Sequence, residues 1–144
     1  MIIRCWGSRG SIPVSGKQYI KYGGNTTCLE IRTKDDEILI VDAGSGIREL
    51  GNQLLAEDRH AYTLLMTHSH WDHIMGFPFF KPIYSSKTKL TVWGCPFAQS
   101  SLKKMLSSIM GAPHFPVEFD AIKAQISYQD TCSNTYQLGS VTIT

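Results

Sequence analysis

The sequence carries little net charge, no long apolar run, no cysteine pair at metal-binding spacing and no low-complexity tract. Each lack removes a class of function. With 14 Lys and Arg against 12 Asp and Glu, the formal net charge is +2, too small for the positive field that nucleic acid or an anionic membrane surface requires. The basic residues are scattered, and Lys103-Lys104, the one tight pair, reads as the solvated face of a helix. No stretch approaches the roughly 20 apolar residues that cross a bilayer, so no membrane partner is expected. The amino terminus lacks a basic segment followed by a signal-type apolar run, and a cytoplasmic location is expected. The four cysteines, Cys5, Cys28, Cys95 and Cys132, include no C-x-x-C pair, which argues against a cysteine zinc site. They are expected to be reduced and mostly buried.

What remains is an ordinary globular composition of 42% hydrophobic and 18% charged residues over 144 positions, enough for one domain with a real core. Met1 to Trp6 and Thr26 to Ile31 read as strands, separated by the loop Gly7-Ser8-Arg9-Gly10-Ser11-Ile12-Pro13 and the turn Tyr22-Gly23-Gly24-Asn25. Lys34-Asp35-Asp36-Glu37 is a polar hairpin turn. The unbroken run Ile38-Leu39-Ile40-Val41 is that of a strand buried on both faces. Ile47, Leu50, Leu54 and Leu55 fall at helical spacing, with Ser45 the expected N-cap. Thr63 to Met66 and Leu90 to Trp93 are further strands. Leu102, Met105, Leu106, Ile109 and Met110 form an amphipathic stripe that Gly111 and Pro113 terminate. Ala121 to Tyr128 and Val141 to Thr144 are the last strand candidates. Strands alternating with helices predict a layered α/β domain.

The strand ending at Met66 runs directly into His68-Ser69-His70-Trp71-Asp72-His73, three histidines and an aspartate within six residues. His68 and His70, two apart at a strand end, project from the same face; Asp72 and His73 follow where the chain must turn. Imidazole nitrogen and carboxylate oxygen are natural donors to zinc, and suit manganese or iron as well. The spacing accommodates two adjacent cations, one on His68 and His70, the other on Asp72 and His73.

The pattern His68-x-His70-x-Asp72-His73 resembles the signature of the metallo-β-lactamase superfamily, and Asp42 matches the aspartate that ends an earlier strand there. The segments Gly7 to Pro13, Tyr22 to Thr26 and Cys28-Leu29-Glu30 are similar to a branch close to phosphodiesterases, with ribonuclease Z a more distant relative. The resemblance implies an αββα sandwich with two metals at one edge of the paired sheets, probed by a small phosphodiester substrate. It implies His68 and His70 on one zinc, Asp72 and His73 on the other, and Asp72 as the residue that orients or deprotonates the attacking water. Asp42 is then expected to fix the loop by hydrogen bonds beside the ligands; its plainer role is a cap on the following helix.

The donor count falls short of that picture. A catalytic zinc takes about three protein ligands and an open position, and the superfamily draws its remaining ligands from downstream. His114, in Ala112-Pro113-His114-Phe115-Pro116, resembles a substrate-side segment; His60 lies at a polar helix end; Asp120 and Asp130 have no neighbouring histidine. Residues 1–144 are therefore expected to be the amino-terminal part of a single metallo-β-lactamase-like domain, mostly the first half of the αββα sandwich, inactive alone and able to pair with another copy through its uncovered sheet face. Two other readings stand beside the phosphodiesterase. One is a ribonuclease Z-like endonuclease, for which the charge offers no support. The other is a non-catalytic fragment or oligomeric module with an incomplete metal site. Gly44-Ser45-Gly46 reads as a tight strand-to-helix connection more than as a phosphate cradle, and Phe77-Pro78-Phe79-Phe80 as core packing more than as a pocket wall.

Overall fold

The computed structural model of the protein describes residues 1–96, 100–132, 135–139 and 141–144. Six strands form one sheet in sequence order: β1 (Ile2–Gly7), β2 (Cys28–Arg32), β3 (Ile38–Val41), β4 (Ala61–Met66), β5 (Lys89–Gly94) and β6 (Gln125–Asp130). The first three are joined by local turns and pair antiparallel. From β3 to β6 the pairing is parallel, which requires crossover connections. These contain α1 (Ile47–Ala56), the short α2 (Trp71–Ile74) followed by 3-10 turns, and α3 (Leu102–Ser107).

Register explains the core. Ile40, Leu64 and Val92 stand side by side across β3, β4 and β5, all fully buried, under Leu50 and Leu54 of α1, Phe77, Phe80 and Leu102. The alternate residues Leu39 and Leu65 point to the other face and are also buried. That face is covered in part by a hairpin of β7 (Tyr136–Leu138) and β8 (Val141–Ile143), whose Tyr136 ring stacks on Trp93 at 5.7 Å. Toward β1 it is open, with Ile3 59% exposed. Among the described residues no helix is long and apolar enough to cross a membrane.

A buried charge joins the first two strands to the first helix. Glu30 of β2 accepts from Trp6 Nε1 at 3.0 Å and from Arg32 Nε at 2.5 Å, with Arg4 Nη1 at 3.6 Å. Arg32 reaches on to Glu57, just past α1, at 2.6 Å. This chain of charges ties β1 and β2 to the end of the first helix, and it works only because every oxygen of Glu30 has a donor.

Several expectations are corrected. The cysteines are not all reduced: Cys95 and Cys132 form a disulfide, with Cα atoms 4.4 Å apart. Parallel pairing of β5 with β6 sets Gly94 opposite Asp130 and so brings together two cysteines that linear spacing keeps 37 residues apart. Ser45 does not cap α1; Gly46 holds that position without a side-chain bond, while Ser45 Oγ accepts from Thr26 N–H at 2.9 Å and donates to Asn25 Oδ1 at 3.2 Å. The stripe at Leu102 is helical only to Ser107, and Gly111 follows at φ 102°. Residues Phe119–Ala121 form a 3-10 turn, so β6 begins later than its composition suggests. Strand β7 is three residues long, too short for a periodic signal.

Two outcomes test this fold. Ellman's reagent on the native chain should count one thiol, the exposed Cys5; unfolding without reductant should release Cys28, and reduction should then add Cys95 and Cys132. Burial, with the Asp42 charge nearby, pushes the Cys28 thiol pKa up, so it stays unreactive until the core opens. Four thiols without reductant would contradict the disulfide. Separately, Glu30→Ala leaves Arg32 and the Trp6 N–H without their buried acceptor and should lower the unfolding free energy in urea by about 3 kcal/mol.

Candidate metal centre

The site forms where two parallel strands end side by side. Strand β3 delivers Asp42 and strand β4 delivers Thr67 and His68; the two ends are joined by Asp42 N–H donating to Leu65 O at 2.9 Å. Such C-terminal strand edges are where open parallel sheets place their ligands. Asp42 takes a left-handed backbone conformation, φ 62°, which aspartate tolerates better than most residues. Its carboxylate, 1% exposed, faces the segment that follows β4.

That carboxylate organises the cluster. Oδ1 accepts from Thr67 N–H at 2.9 Å, and Thr67 Oγ1 lies 2.9 and 2.8 Å from the two oxygens. His73 Nδ1 is 2.7 Å from Oδ2. A buried carboxylate only accepts, so His73 donates from Nδ1, and as the neutral imidazole it offers its lone pair on Nε2. The Thr67 hydroxyl has one proton, which goes to Asp42. His68 Nδ1, 3.0 Å from Thr67 Oγ1, must therefore donate to it, leaving His68 Nε2 bare as well. One aspartate thus fixes the tautomers of two imidazoles, one directly and one through a hydroxyl.

The rings are packed together. His68 lies 4.6 Å from His70 and 4.0 Å from His73 between ring centroids. Burial, and then the neighbouring His73 and His70, lower the pKa of His68, so it favours the neutral form that donates a lone pair. Asp72 is held from the other side: Oδ2 accepts from Ser11 N–H at 2.9 Å and sits 3.5 Å from His73 Nε2. The Ser11 bond is the main cause that holds the Asp72 carboxyl below its usual range.

Backbone contacts leave this segment little freedom. Ala43 N–H donates to His73 O at 2.7 Å, and Gly76 N–H to Ala43 O at 2.8 Å. A Cβ on Gly44 would lie 2.4 Å from Asp72 O, and one on Gly76 2.0 Å from Gly44 O. The two glycines are required because the strand-to-helix turn and the histidine segment lie directly against each other, so Gly44-Ser45-Gly46 is a packing device.

The structure therefore gathers His68, His70, Asp72 and His73, with Asp42 bonded to His73 behind them. His114 is exposed. His60 instead bonds Asp58 at 2.8 Å. Asp130 Oδ1 accepts from Leu102 N–H at the start of α3, 2.8 Å, and Asp120 is exposed in its 3-10 turn. Thr67 and Ser11 escaped sequence reasoning. Thr67 immediately precedes the motif and could have been found as its hydroxyl neighbour; Ser11 acts through its backbone, which leaves no trace in residue type. In kind, the donors suit a divalent cation: two imidazoles with oriented lone pairs, a third beside them, and an ionised carboxylate. In number they fall short, since among the described residues no three His, Cys, Asp or Glu side chains are placed to hold one ion together.

Comparison with known proteins bears on the fold. Residues 22–88 match the family model described as "Metallo-beta-lactamase superfamily". The solved structure of "a New Diphosphatase from the PhnP Family" aligns with a TM-score of 0.66 and 17% identity, covering 97% of this chain and 54% of that one. The chain has the metallo-β-lactamase fold. A second solved structure, "BLEG-1 B3 metallo-beta-lactamase", aligns with a TM-score of 0.53 and 18% identity over 98% of this chain and 58% of its own. The chain thus spans little more than half the length of either structure. No curated protein sequence matches it.

If Asp42 sets the imidazole tautomers, its loss should register in metal affinity and in stability together. Asp42→Ala should weaken zinc binding, measured by competition with a chelator dye, about 10- to 100-fold. It should also cost about 3 kcal/mol of unfolding free energy through the stranded donors. Unchanged zinc affinity in Asp42→Ala, alongside a loss in His73→Ala, would show that the carboxylate is structural only.

Proposed function

We propose that this chain supplies the histidine-and-aspartate side of a metal-dependent hydrolase site that cleaves phosphodiesters. The observation that carries the reading is the Asp42 relay, which leaves His68 and His73 with lone pairs on Nε2 at the edge of the sheet. His68 and His70 would hold one divalent cation and Asp72 with His73 a second, with zinc favoured by the donor types and manganese or iron as alternatives. When bound, such cations supply a water ionised near neutral pH and stabilise charge developing on phosphate oxygens. Asp72 contributes more than a ligand: the Ser11 N–H fixes its carboxylate and keeps it ionised, so it is the residue placed to orient the attacking water and take its proton.

The donors missing from the set must come from outside the described residues, from further chain or from a second copy. The phosphoester reading draws support from the better alignment to the diphosphatase than to the lactamase structure. RNA processing of the ribonuclease Z kind would need a basic surface, and a net charge of +2 does not favour it. For location, two readings stand apart: the cytoplasm, and an oxidising compartment, with which a Cys95–Cys132 disulfide belongs. The thiol count described above separates them.

Assayed in its longest natural form with zinc or manganese, the protein should turn over bis-p-nitrophenyl phosphate, and Asp72→Ala should lower kcat by about 100-fold or more. Turnover of a β-lactam or thioester with the phosphodiester untouched would overturn the substrate class. Metal analysis of the 144-residue chain addresses the fragment reading: less than one ion per chain, with no turnover, would make this polypeptide a non-catalytic half-site on its own.

A further inference from the structure

We propose that the cleft between the Gly7–Pro13 loop and the Lys17–Tyr22 segment is a subsite for an anion that carries a planar ring, an aromatic phosphate ester being the simplest case. The cleft measures about 230 Å³ and is lined by Ser8, Arg9, Gly10, Gln18, Tyr19 and Tyr22. Its wall is tied to the metal centre through the backbone: Gly10 lines the cleft, and the next residue, Ser11, donates to Asp72. The inference rests on the hydrolase reading for calling the bound group substrate, but not for its binding.

Three features specify the occupant. First, the cations around the cleft are free of acids. Residues 1–29 contain no Asp or Glu, although the whole chain is only +2, and of their four basic residues only Arg4 has an acid partner, Glu30. Among the described residues no carboxylate lies within ion-pair distance of Arg9, Lys17 or Lys21. Second, Arg9 is in place before any ligand arrives. Its N–H bonds Asn25 O at 3.0 Å, and its guanidinium lies 5.3 Å above the Tyr19 ring centroid. A cation–ring contact uses up no N–H of the guanidinium, so its donor fork remains for a phosphate. Third, the Tyr22 ring is 78% exposed, with Lys21 Nζ 4.9 Å from its centroid. An exposed ring next to an unpaired cation suits a ligand that is planar and anionic at once.

The test is titration calorimetry on the 144-residue chain with AMP, inorganic phosphate and adenosine, with zinc affinity measured in parallel. AMP should bind more tightly than either part alone. Arg9→Gln should weaken AMP and phosphate about tenfold or more while sparing adenosine. Tyr22→Ala should weaken AMP a few-fold and leave phosphate unchanged. Both side chains are at the surface, and both variants should keep wild-type zinc affinity. Equal AMP affinity in wild type and Arg9→Gln overturns the subsite. Zinc binding without AMP binding overturns it as well, yet leaves the hydrolase reading standing. AMP binding that is lost in Arg9→Gln upholds the subsite even in a chain that takes up no zinc, in which case this polypeptide is a half-site for metal on its own.

Discussion

A carboxylate buried to 1% exposure is unfavourable unless its oxygens are saturated with donors. Asp42 meets that demand with a backbone N–H, a hydroxyl and an imidazole N–H, and all three donors come from residues 67–73. The requirement acts in both directions. The histidine segment cannot leave without stranding the charge, and the charge cannot be accommodated without the segment. The positive φ of Asp42 is tolerable for the same reason, since the bonds that depend on it outweigh a strain of order 1 kcal/mol. Remove this carboxylate and the tautomers of His68 and His73, the seat of Thr67 and the path of α2 all lose their determinant.

The rest of the sheet can be understood as what holds Asp42 and Thr67 at the right separation. Parallel pairing of β3 with β4, Ile40 beside Leu64, brings the two strand ends level. The fully buried residues of both strands keep them from sliding, because a register shift of one would turn every apolar side chain to the wrong face. Gly44 and Gly76 let the following turn press against the histidine segment without side chains between them. Core packing and site geometry are therefore one problem here: apolar burial fixes the strands, and the strands fix the donors.

Much of this was legible in the sequence, and what was not has a common cause. The run Ile38–Val41, the helical spacing from Ile47 and the histidine motif are local patterns, and each lies where its period places it. Asp42 was recognisable as a partner of the motif through resemblance alone, because nothing local distinguishes a residue that caps a helix from one that anchors a histidine. Non-local pairings escaped. Cys95 with Cys132, Glu30 with Trp6, Arg32 with Glu57, and Ser11 with Asp72 are set by strand register and loop return, which no window of neighbouring residues contains. Ser45 shows the converse error: a residue type ideal for an N-cap is drawn instead to Asn25 and Thr26, because the turn that leads into β2 lies beside it and supplies those partners.

The site has two electrostatic characters that meet at Ser11. On one side lie imidazoles and an ionised carboxylate, donors that suit a cation; on the other lies a loop region with basic residues and no acid before Glu30. Were these merged, Arg9 would pair with Asp72 and each would cancel the other. Instead Asp72 takes its hydrogen bond from the Ser11 backbone, which offers a donor without a formal charge, and Arg9 is held back over Tyr19. The carboxylate thereby stays available to a metal and the guanidinium to an anion. A backbone amide at that one position is what allows opposite functions to stand side by side.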